Sequence, residues 1–376
     1  MEIELKFQLP EAKKKSVLHA LNKQKAQKIH LQAKYYDTPD RLLAKKYVAI
    51  RLRQEGECWV QTFKADSKNH LQRIEEDIYL GKCEQEPELD LSHYQHNQTV
   101  QTMLREILGD QPADLTLQFQ TDVQRSFHVF EYEGSQIEVC LDDGEIRTPN
   151  DQAKICEVEF ELKQGSAQHL IEFSKTWVDK YQLWLDVRSK AERGNLLAMG
   201  KLVSPAIKAK SLILNPKSSA EYAMQQIVEN TLNHILPNAA AIAAGVAEAE
   251  HIHQARVGLR RLRSALKHFS NWSSQIDPAW ESQLAEIFRA LGQSRDNDAI
   301  QDAVIPLIQK DCEFDLILPK ETDTEIAQLL SQPQTTRLFL SLLSFSYSEN
   351  QSKSKLTKQV NKSLTKLYHK ILEDAA

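Results

Sequence analysis

The chain has 376 residues, of which 41% are hydrophobic and 26% are charged, and its formal net charge is -5. This composition is typical of a soluble globular protein, and the length is sufficient for two domains with separate cores. The negative charge argues against a general nucleic-acid binder, and no apolar run approaches the roughly 20 residues that span a bilayer. We therefore expect neither a nucleic acid nor a membrane as a partner.

The cysteines and the N-terminus indicate a cellular compartment. The cysteines are scattered singly, without the Cys-x-x-Cys spacing of zinc sites, which fits reduced thiols better than a disulfide framework. They are Cys58, Cys83, Cys140, Cys156 and Cys312. The N-terminus is acidic and strand-like, and it lacks the basic and apolar regions of a signal peptide. We predict a cytoplasmic location.

The first seven residues alternate in character with a period of two. In a strand this pattern places Glu2, Glu4 and Lys6 on one face and three apolar side chains on the other. Two neighbouring carboxylates followed by an ammonium group are unusual for a face that only meets water, because like charges repel and these residues form strands poorly. Taken alone, a solvated outer face still explains this strand, so a binding face requires further strands of the same design.

The next elements are a predicted helix over 10–27 and a strand that ends at a turn beginning at Asp37. The strand 47–53 then places Arg51 and Arg53 on one face. Two planar guanidinium groups in this register form a clamp for phosphate oxygens. A surface ladder of salt bridges explains this strand equally well by itself.

The same design recurs in later strands, each with one apolar face and one face rich in charges. These strands are 59–64, with Lys64; 72–79, with Arg73, Glu75 and Asp77; 121–132, with Arg125; 137–142, with Glu138 and Asp142; and 156–162, with Glu157, Glu159 and Glu161. Carboxylates on neighbouring same-face positions repel unless cations are near, which favours Glu157 and Glu159 as metal ligands over a solvated stripe. Glu161, at the strand end, is a weaker candidate.

Strands of this design predict an α+β fold built on a closed antiparallel β tunnel barrel. Its charged faces point inward, helices wrap the apolar outside, and closure removes the unpaired sheet edges. Carboxylate oxygens are hard ligands that hold Mg²⁺ or Mn²⁺, and the cation then bridges to phosphate. A lining of this kind predicts a metal-bound polyanion as the ligand.

The segment Glu2-Ile3-Glu4-Leu5-Lys6 resembles the ExExK signature of the CYTH domains, the triphosphate tunnel metalloenzymes. The later charged segments recur in the family's order and end with Ser189-Lys190-Ala191-Glu192-Arg193-Gly194. The resemblance covers about residues 1–200. Its specificity rests on this ordered co-occurrence, because a three-residue charge pattern arises easily by chance.

This resemblance implies hydrolysis of a triphosphate, with inorganic triphosphate as the expected substrate and diphosphate and phosphate as products. It implies metal ligands at Glu2, Glu4, Glu157 and Glu159, which would hold Mg²⁺ or Mn²⁺. It implies catalytic contacts from Lys6, Arg51, Arg53, Lys64 and Lys190, and substrate-binding or orienting roles for Arg73, Glu75, Arg125, Glu138, Asp142 and Arg193. The chain has no Gly-x-Ser-x-Gly elbow and no P-loop, and such a tunnel needs no protein nucleophile.

Residues 201–218 are predicted to form a linker, because they contain prolines, lysines and serines and little periodicity. Beyond it the hydrophobic period changes from two to 3.6, which predicts an all-α bundle domain over 219–376. The predicted helices cover about 219–236, 239–270, 278–308, 322–345 and 353–373.

The second predicted helix carries His253, Arg256, Arg260 and Arg263 at spacings of three and four, which stacks them on one face. The pattern resembles the HxxRxxxRRLR motif of the CHAD domain, and 291–298 resembles a second segment of it. This family is associated with polyphosphate, and a row of cations about 5–6 Å apart matches a linear polyanion. The alternative is a solvated, salt-bridged face, which is favoured for the lysine stripe of the last helix.

The helical region departs from the complete CHAD domain, which pairs two bundles that each carry a basic helix. Residues 219–376 contain one such motif, so half of the basic surface is missing unless two chains form a homodimer through this domain. Three functions therefore stay open: an inorganic triphosphatase, a nucleoside or thiamine triphosphatase or adenylate cyclase that uses the same tunnel, and a non-catalytic polyphosphate-binding protein.

Overall fold

The computed structural model describes residues 2–66, 71–109, 114–299, 322–352 and 354–374. The chain divides into two compact units, Met1–Ser204 and Pro205–Ala376. Within the described residues the first unit contains strands and helices, whereas the elements of the second unit are helices. Cys312 lies outside the described residues.

The first unit is a β barrel with helices on its outside and at one end. Its strands are β1 Glu2–Gln8, β2 Gln27–Asp37, β3 Val48–Glu55, β4 Cys58–Asp66, β5 Gln72–Lys82, β6 Thr116–Tyr132, β7 Ser135–Arg147, β8 Gln152–Gln164 and β9 Trp184–Leu185. Its helices are α1 Glu11–Lys23, α2 Gln98–Leu108, α3 Ala167–Tyr181 and α4 Lys190–Ala198, with short 3-10 turns at Ala44–Lys46 and Leu91–Tyr94. The predicted helix at α1 is present.

The strands follow the order β5-β4-β3-β2-β6-β7-β8-β1, and all the neighbours are antiparallel. The barrel closes where β5 pairs with β1, with Glu2 opposite Arg73. The short β9 pairs with the end of β1. The predicted closed antiparallel barrel is therefore confirmed.

The long hairpin of β6 and β7 fixes the register of the charged positions on these two strands. Its two-residue turn consists of Glu133, with φ 48°, and Gly134, with φ 75°. Two successive positive φ angles define the turn whose twist matches that of the flanking strands. From this turn the ladder places Arg125 directly opposite Asp142.

Apolar side chains on the outer face of the barrel form its core with the helices. Phe7 on β1 and Phe160 on β8 are fully buried and meet edge to face, with ring centroids 5.5 Å apart. Trp177 of α3 packs on Phe160 at 5.7 Å. On the other side, Phe63 of β4 lies in a buried cluster with Val100 of α2. The helices thus cover the apolar alternate residues of the strands, as predicted.

The inner face is not charged along its whole length, because α4 closes one end of it with apolar contacts. Tyr35 and Phe119 lie opposite each other in the ladder and stack with ring centroids 4.4 Å apart. They belong to a buried cluster that includes Val123, and Ala191 and Leu197 of α4 pack against it. The charged residues occupy the remainder of the lining.

Gly194 permits this close approach of α4. A Cβ at this position would lie 2.1 Å from the Phe119 ring. In a free helix the change from glycine to alanine is favourable by up to about 1 kcal/mol, but overpacking of a core costs about 1–3 kcal/mol.

We therefore expect Gly194→Ala to lower the unfolding temperature. Replacing Phe119 with leucine in the same chain should recover part of the lost stability, because the smaller side chain leaves room for the alanine Cβ. Differential scanning calorimetry of the wild type, both single variants and the double variant measures this coupling. An unchanged unfolding temperature in Gly194→Ala would contradict the close contact.

The second unit is a helical bundle that follows a segment without helix or strand at 201–218. Its helices are α5 Ala220–Ala243, α6 Ala249–Phe269, α7 Ala279–Ala299, α8 Thr322–Leu330, α9 Pro333–Ser346 and α10 Leu356–Asp374, with a 3-10 turn at Ser270–Trp272. Among the helices described in either unit, none combines the length and the apolar character needed to cross a membrane.

Two helix boundaries differ from the predictions. A break near 237–238 was expected, but Pro237 lies inside α5, because the buried face of this helix continues to Ile242. The chain turns at Gly245, whose φ is +70°. The single helix predicted over 322–345 is also wrong, because Pro333 begins a separate helix at α9. Part of the helix predicted over 278–308 lies outside the described residues.

Candidate active site

The strand register collects the charged residues predicted for the tunnel on the inner face of the barrel. On none of these side chains is more than 21% of the surface exposed. They are Glu2, Glu4, Lys6, Arg51, Arg53, Lys64, Arg73, Glu75, Arg125, Glu138, Asp142, Glu157 and Glu159 on strands, with Lys190 and Arg193 on α4. Because these strands lie far apart in the chain, their meeting depends on closure of the barrel.

Three carboxylates converge at the centre of this lining. One oxygen each of Asp142, Glu157 and Glu159 lies within 4.8 Å of the other two, and all three residues are buried. Asp142 lies opposite Glu157 in the ladder of β7 and β8. Oxygen donors that converge in this way suit a hard divalent cation. This is a buried acidic cluster that could bind a metal ion.

Cationic side chains already contact the same carboxylates. The Lys190 Nζ lies 2.6 Å from Asp142 and 3.0 Å from Glu159, and it also pairs with Glu157. Arg125 donates from Nε and Nη2 to the two oxygens of Asp142, at 2.7 and 2.6 Å, and from Nη2 to Glu159. A metal ion bound at this cluster would compete with Lys190 and Arg125 for the carboxylate oxygens.

The charges in this cluster control one another's protonation. Burial by itself disfavours the charged form of Glu159, but Lys190, Arg125 and Lys6 outweigh it and hold the pKa of Glu159 well below its ordinary value. The pKa of Asp142 is lowered in the same way, against burial, by Arg125 and Lys190. Both carboxylates therefore stay ionised at neutral pH and remain available as ligands.

The first strand contributes a second group of ion pairs beside this cluster. Lys64 lies 3.0 Å from Glu2 and 2.7 Å from Glu75. Among the described residues, neither Glu2 nor Glu4 belongs to the three-carboxylate cluster. The structure thus groups Glu157 and Glu159 with Asp142, whereas the sequence had grouped them with the two glutamates of β1.

Lys6 connects the two groups of ion pairs. Its Nζ lies 2.6 Å from Glu4 and 3.8 Å from Glu159. Glu4 is also 3.1 Å from the Nε of Arg73. Glu4 is therefore a close neighbour of the acidic cluster, and the role of metal ligand stays a prediction for both Glu2 and Glu4.

A basic region lies next to the apolar cluster that Tyr35 and Phe119 form with α4. Arg51 donates to the Tyr35 hydroxyl at 3.3 Å. Burial alone would raise the pKa of Tyr35, but Arg51, Lys190 and Arg53 outweigh it and lower this pKa. The pKa of Arg53 is itself lowered by burial and then by Arg51, with a smaller contribution from Arg125. Cations that converge in this way favour an anionic ligand.

The sequence did not identify Tyr35 as a site residue. The sequence could have indicated this role only through the pairing of β2 with β3, which places Tyr35 opposite Arg51. An aromatic residue at a strand end before a turn is otherwise more often a packing residue, and Tyr35 also stacks on Phe119. The hydroxyl beside the guanidinium group is visible only in the assembled barrel.

Glu138 lies near Glu161, away from the central cluster. Lys163 bridges the two, at 3.4 Å from Glu138 and 2.8 Å from Glu161. The pKa of Glu161 is raised, first by burial, with smaller contributions from Glu2 and Glu138. Glu161 therefore belongs to a separate group of charges, and Lys163 is a further basic residue that the sequence did not identify.

The basic row of the helical unit is only partly open to solvent. Arg256 and Arg263 both lie over the ring of Phe288, at 4.7 and 5.2 Å from its centroid. Arg263 also pairs with Glu281 at 2.9 Å. Arg260 is exposed. For Arg263, packing and a salt bridge therefore account for the position of the side chain.

The other members of the basic row are His253 and Arg256. His253 is half-buried on α6. The Nη1 of Arg256 is buried and has no hydrogen-bond partner among the residues the structure describes. The second CHAD-like segment, 291–298, lies mostly outside the residues whose side chains are described. The row is a candidate anion site in which Arg260 is exposed and Arg256 has one buried donor without a partner among the described residues.

Two family models match the chain. The model of the CYTH domain matches residues 1–194, and that of the CHAD domain matches residues 226–375. Both resemblances seen in the sequence are confirmed. The CYTH match includes the charged strands and the Lys190 and Arg193 positions of α4.

One curated relative is an inorganic triphosphatase from Haemophilus influenzae, 33% identical over 174 residues. The matched region covers 46% of this chain and 47% of that protein. The chain thus spans about half the length of the curated relative that it matches.

Two solved structures are similar to part of this chain at low identity. A protein from Hippeastrum, named as an adenylyl cyclase with a dominant triphosphatase activity, is 17% identical with a TM-score of 0.39, covering 54% of this chain and 98% of its own. A protein from Bacillus halodurans, named as an adenylate cyclase, is 20% identical with a TM-score of 0.35, covering 48% and 89%. The family assignment rests on the sequence match and not on these structures.

The charge pairs predict how the stability of the protein depends on pH. Because the pKa of Glu159 is lowered on folding, its pairs stabilise the protein fully above the ordinary value of 4.5 and lose this effect as the pH falls further. We expect the unfolding temperature in EDTA to drop steeply below about pH 4.5 in the wild type.

Glu159→Gln should be less stable at pH 7, by about 3 kcal/mol, because Lys190 and Arg125 lose a buried partner. Its further loss of stability in acid should be smaller than that of the wild type. Glu145→Gln is the matched control, since Glu145 lies on the neighbouring strand and pairs with Arg147. Equal acid dependence in the wild type and Glu159→Gln would argue against this balance of charges.

Proposed function

This chain belongs to the CYTH domain family, and from that premise we propose that it hydrolyses inorganic triphosphate to diphosphate and phosphate inside its barrel. The observation that carries the proposal is the meeting of three buried carboxylates with Lys190 and Arg125 in a closed, charged lining. Carboxylates alone would repel phosphate, and cations alone would not hold a metal ion. The two together suit a metal-bound polyphosphate anion.

The basic side chains are proposed to bind and orient the phosphates. Arg51 and Arg53 project from neighbouring same-face positions of β3, where Arg51 contacts Tyr35 and Arg53 pairs with Glu55. Their forked guanidinium groups match phosphate oxygens. Lys6, Lys64, Arg73 and Lys190 neutralise further charge from the surrounding strands and α4. We infer that Glu75 keeps Lys64 in place and Asp142 keeps Lys190 in place when no substrate is bound. Glu138 contacts Lys163, and its orienting role stays a prediction.

We propose that Mg²⁺ or Mn²⁺ is held by Glu157 and Glu159 together with Asp142, and that Glu2 and Glu4 complete the site as the sequence predicts. The donor set fits, because all of its atoms are carboxylate oxygens. When bound, such an ion lowers the pKa of a coordinated water and offsets phosphate charge.

The chain's own residues are proposed to supply the remaining catalytic effects. Phosphoryl transfer passes through a loose transition state in which negative charge spreads over the phosphate oxygens. Arg51, Arg53 and Arg125 would stabilise that charge, because they are fixed and sheltered from bulk water before the reaction starts. The apolar contacts of α4 exclude solvent from one end of the barrel. No side chain is required to form a covalent bond to phosphorus.

The relative from Haemophilus influenzae supports this substrate, since it is an inorganic triphosphatase and its match covers 46% of this chain. The predicted cytoplasmic location stays part of the same proposal, and it rests on the singly spaced cysteines.

A second candidate function is the hydrolysis of an organic triphosphate such as a nucleoside or thiamine triphosphate, or its cyclisation by an adenylate cyclase. One observation favours it. Two side chains with apolar surface lie on the inner face among the charged ones: Val129, opposite Glu138, is 39% exposed, and Tyr79, opposite Val60, is 77% exposed. A planar organic group needs an apolar contact of this kind beside the phosphates.

Phosphate release from equal concentrations of inorganic triphosphate, ATP, thiamine triphosphate and long-chain polyphosphate separates these functions. We expect the full chain to act fastest on inorganic triphosphate with Mg²⁺ or Mn²⁺ and to lose activity in EDTA. Faster turnover of ATP or thiamine triphosphate would favour the second candidate. Binding of condensed phosphates without turnover would favour a non-catalytic polyphosphate-binding protein.

A substitution at Arg53 tests whether the basic side chains of the barrel lining contribute to catalysis. Arg53→Ala should reduce kcat/KM by about 100-fold or more, because a fixed charge that stabilises the transition state is worth about 3 kcal/mol. Arg147→Ala is the matched control, since Arg147 is 55% exposed at the end of β7. Circular dichroism checks that both variants fold. Full activity in Arg53→Ala would remove Arg53 from the site.

We also propose that the basic row of α6 binds polyphosphate, as the CHAD match suggests. What supports this is the exposure of Arg260 and the buried Nη1 of Arg256, which lacks a partner among the described residues. Stacking on Phe288 and the pair with Glu281 account for Arg263 without a ligand. His253 is proposed as a half-buried contributor.

Arg256→Ala combined with Arg260→Ala should weaken the binding of long-chain polyphosphate by about tenfold or more and flatten its dependence on salt, because fewer counterions are released. The control is Lys358→Ala with Lys362→Ala, which removes the same charge from another helix. Fluorescence titration over a series of salt concentrations measures both. Turnover of inorganic triphosphate should not change in either variant. Unaltered polyphosphate binding would reduce α6 to a structural role.

A further inference from the structure

Asp186 lies buried between β9 and α4, in the segment that leads to Lys190. Only 1% of Asp186 is exposed. Its Oδ1 accepts hydrogen bonds from the backbone N and the Nε of Arg188, at 3.0 and 2.9 Å. Its Oδ2 accepts from the Nη2 of Arg188 at 2.8 Å and from the Nε2 of Gln8 at 3.0 Å. A bidentate pair of this kind fixes the relative orientation of the two side chains.

The charge of Asp186 is balanced within this network of Asp186, Arg188 and Gln8. Burial by itself would lower the pKa of Arg188, but Asp186 outweighs it and raises this pKa. Arg188 therefore stays charged, and the buried carboxylate keeps its partner. Removal of either charge would leave the other buried without a counter-charge, which is strongly destabilising for the local structure.

The network holds the chain before α4 on the first strand of the barrel. The backbone N of Asp186 donates to the carbonyl of Lys6 at 3.0 Å, and Leu185 of β9 lies opposite Phe7. Because β9 has only 2 residues, its ladder by itself gives this segment few hydrogen bonds. The side-chain bond from Gln8 adds a contact with β1 that the ladder does not provide.

Lys190 follows directly from this segment. Ser189 caps α4, because its Oγ accepts a hydrogen bond from the backbone N of Glu192 at 3.0 Å. Lys190 is the first residue of the helix. Only Val187, Arg188 and Ser189 separate it from Asp186. The position of Asp186 on β1 therefore determines where the first turn of α4 begins.

The first turn of α4 carries two cations of the charged lining. Lys190 and Arg193 both pair with Glu157. A lysine side chain is long and flexible, so its ammonium group keeps a fixed position only when the backbone that carries it is fixed. A displacement of this turn would therefore move both cations away from the same buried carboxylate.

Asp186 is not itself placed to meet a phosphate or a metal ion. Its two oxygens already accept hydrogen bonds from Arg188 and Gln8, and its negative charge would repel a phosphate. The acidic cluster of the barrel consists of Asp142, Glu157 and Glu159. Any effect of Asp186 on a reaction in the barrel must therefore pass through the residues that it holds in place.

We propose that Asp186 is a positioning residue for Lys190, because its network with Arg188 and Gln8 holds the start of α4 on β1. The inference rests on the function proposed for the barrel, in which Lys190 makes a catalytic contact. The resemblance seen in the sequence began this segment at Ser189 and did not include Asp186. Without the network, the ammonium group of Lys190 leaves the carboxylates more often.

Acylation of lysine tests the position of Lys190 without any turnover. Burial alone would lower the pKa of Lys190, but Asp142, Glu157 and Glu159 outweigh it and raise this pKa, so the reactive neutral amine is scarce. We expect Asp186→Asn to be acylated at Lys190 about tenfold faster than the wild type, because a fall of one unit in the pKa makes the neutral amine ten times as abundant. An N-hydroxysuccinimide ester at single-hit dose, followed by peptide mass spectrometry, measures the rate.

Two controls separate this effect from a general loosening of the barrel. Lys64 belongs to the same lining and is 21% exposed, and its acylation rate should not change in Asp186→Asn. Asp143→Asn is the matched variant, since it removes a carboxylate that pairs with Lys14 at 2.6 Å, and it should leave Lys190 at the wild-type rate. An unchanged rate at Lys190 in folded Asp186→Asn, or an equal rise at Lys64, would overturn the proposal.

Kinetics tests whether Asp186 acts through Lys190. Asp186→Asn should lower kcat for inorganic triphosphate by about tenfold and change KM by less than about threefold, because the lost contact belongs to the transition state. In a Lys190→Ala background the same substitution should change kcat by less than about twofold, since residues of one network are not additive. A full tenfold loss in that background as well would reduce Asp186 to a stabilising role.

The two measurements keep this inference separate from the proposed function. Full activity in Lys190→Ala would contradict the catalytic contact of Lys190, whereas the acylation rate would still decide whether Asp186 positions it. Where circular dichroism shows that Asp186→Asn does not fold, Arg188→Gln takes its place. We expect about threefold faster acylation of Lys190 in Arg188→Gln, because the bidentate pair is lost while the bond from Gln8 remains. An unchanged rate in that variant would overturn the proposal.

Discussion

The barrel depends on the pairing of opposite charges inside a closed sheet. A carboxylate such as Glu159 could not remain ionised in this interior by itself, because desolvation of an isolated charge costs more than folding can supply. It remains so because Lys190, Arg125 and Lys6 surround it. These partners come from α4, β6 and β1, so the charges are balanced only after the barrel closes. Closure and ionisation therefore support each other.

The same balance makes the barrel suited to a ligand that carries both signs of charge. A metal-bound phosphate anion brings cations to the carboxylates and oxygens to the basic side chains, so it can replace contacts without leaving a charge unpaired. Arg51 and Arg53 already raise the local positive potential around the Tyr35 hydroxyl. The acidic cluster and this basic region are thus two halves of one proposed site.

The helical unit uses its charges differently. In the barrel, charged side chains are enclosed and face one another, whereas the basic row of α6 lies at the surface of a bundle. Phe288 supports Arg256 and Arg263 through cation–π contacts, and Glu281 binds Arg263. A motif of regularly spaced arginines therefore contains both packing residues and accessible ones. Only the environment of each side chain distinguishes them.

The sequence by itself determined the strands and their two faces, because a period of two needs no partner to be recognised. It also determined the family, since the charged segments recur in a fixed order. The tertiary structure decided which charges meet: Asp142 joins Glu157 and Glu159, while Glu2 pairs with Lys64. Alternation shows on which face of the strand a side chain lies but not its position along the barrel axis. That position depends on strand register and barrel closure, which are set by contacts between distant strands.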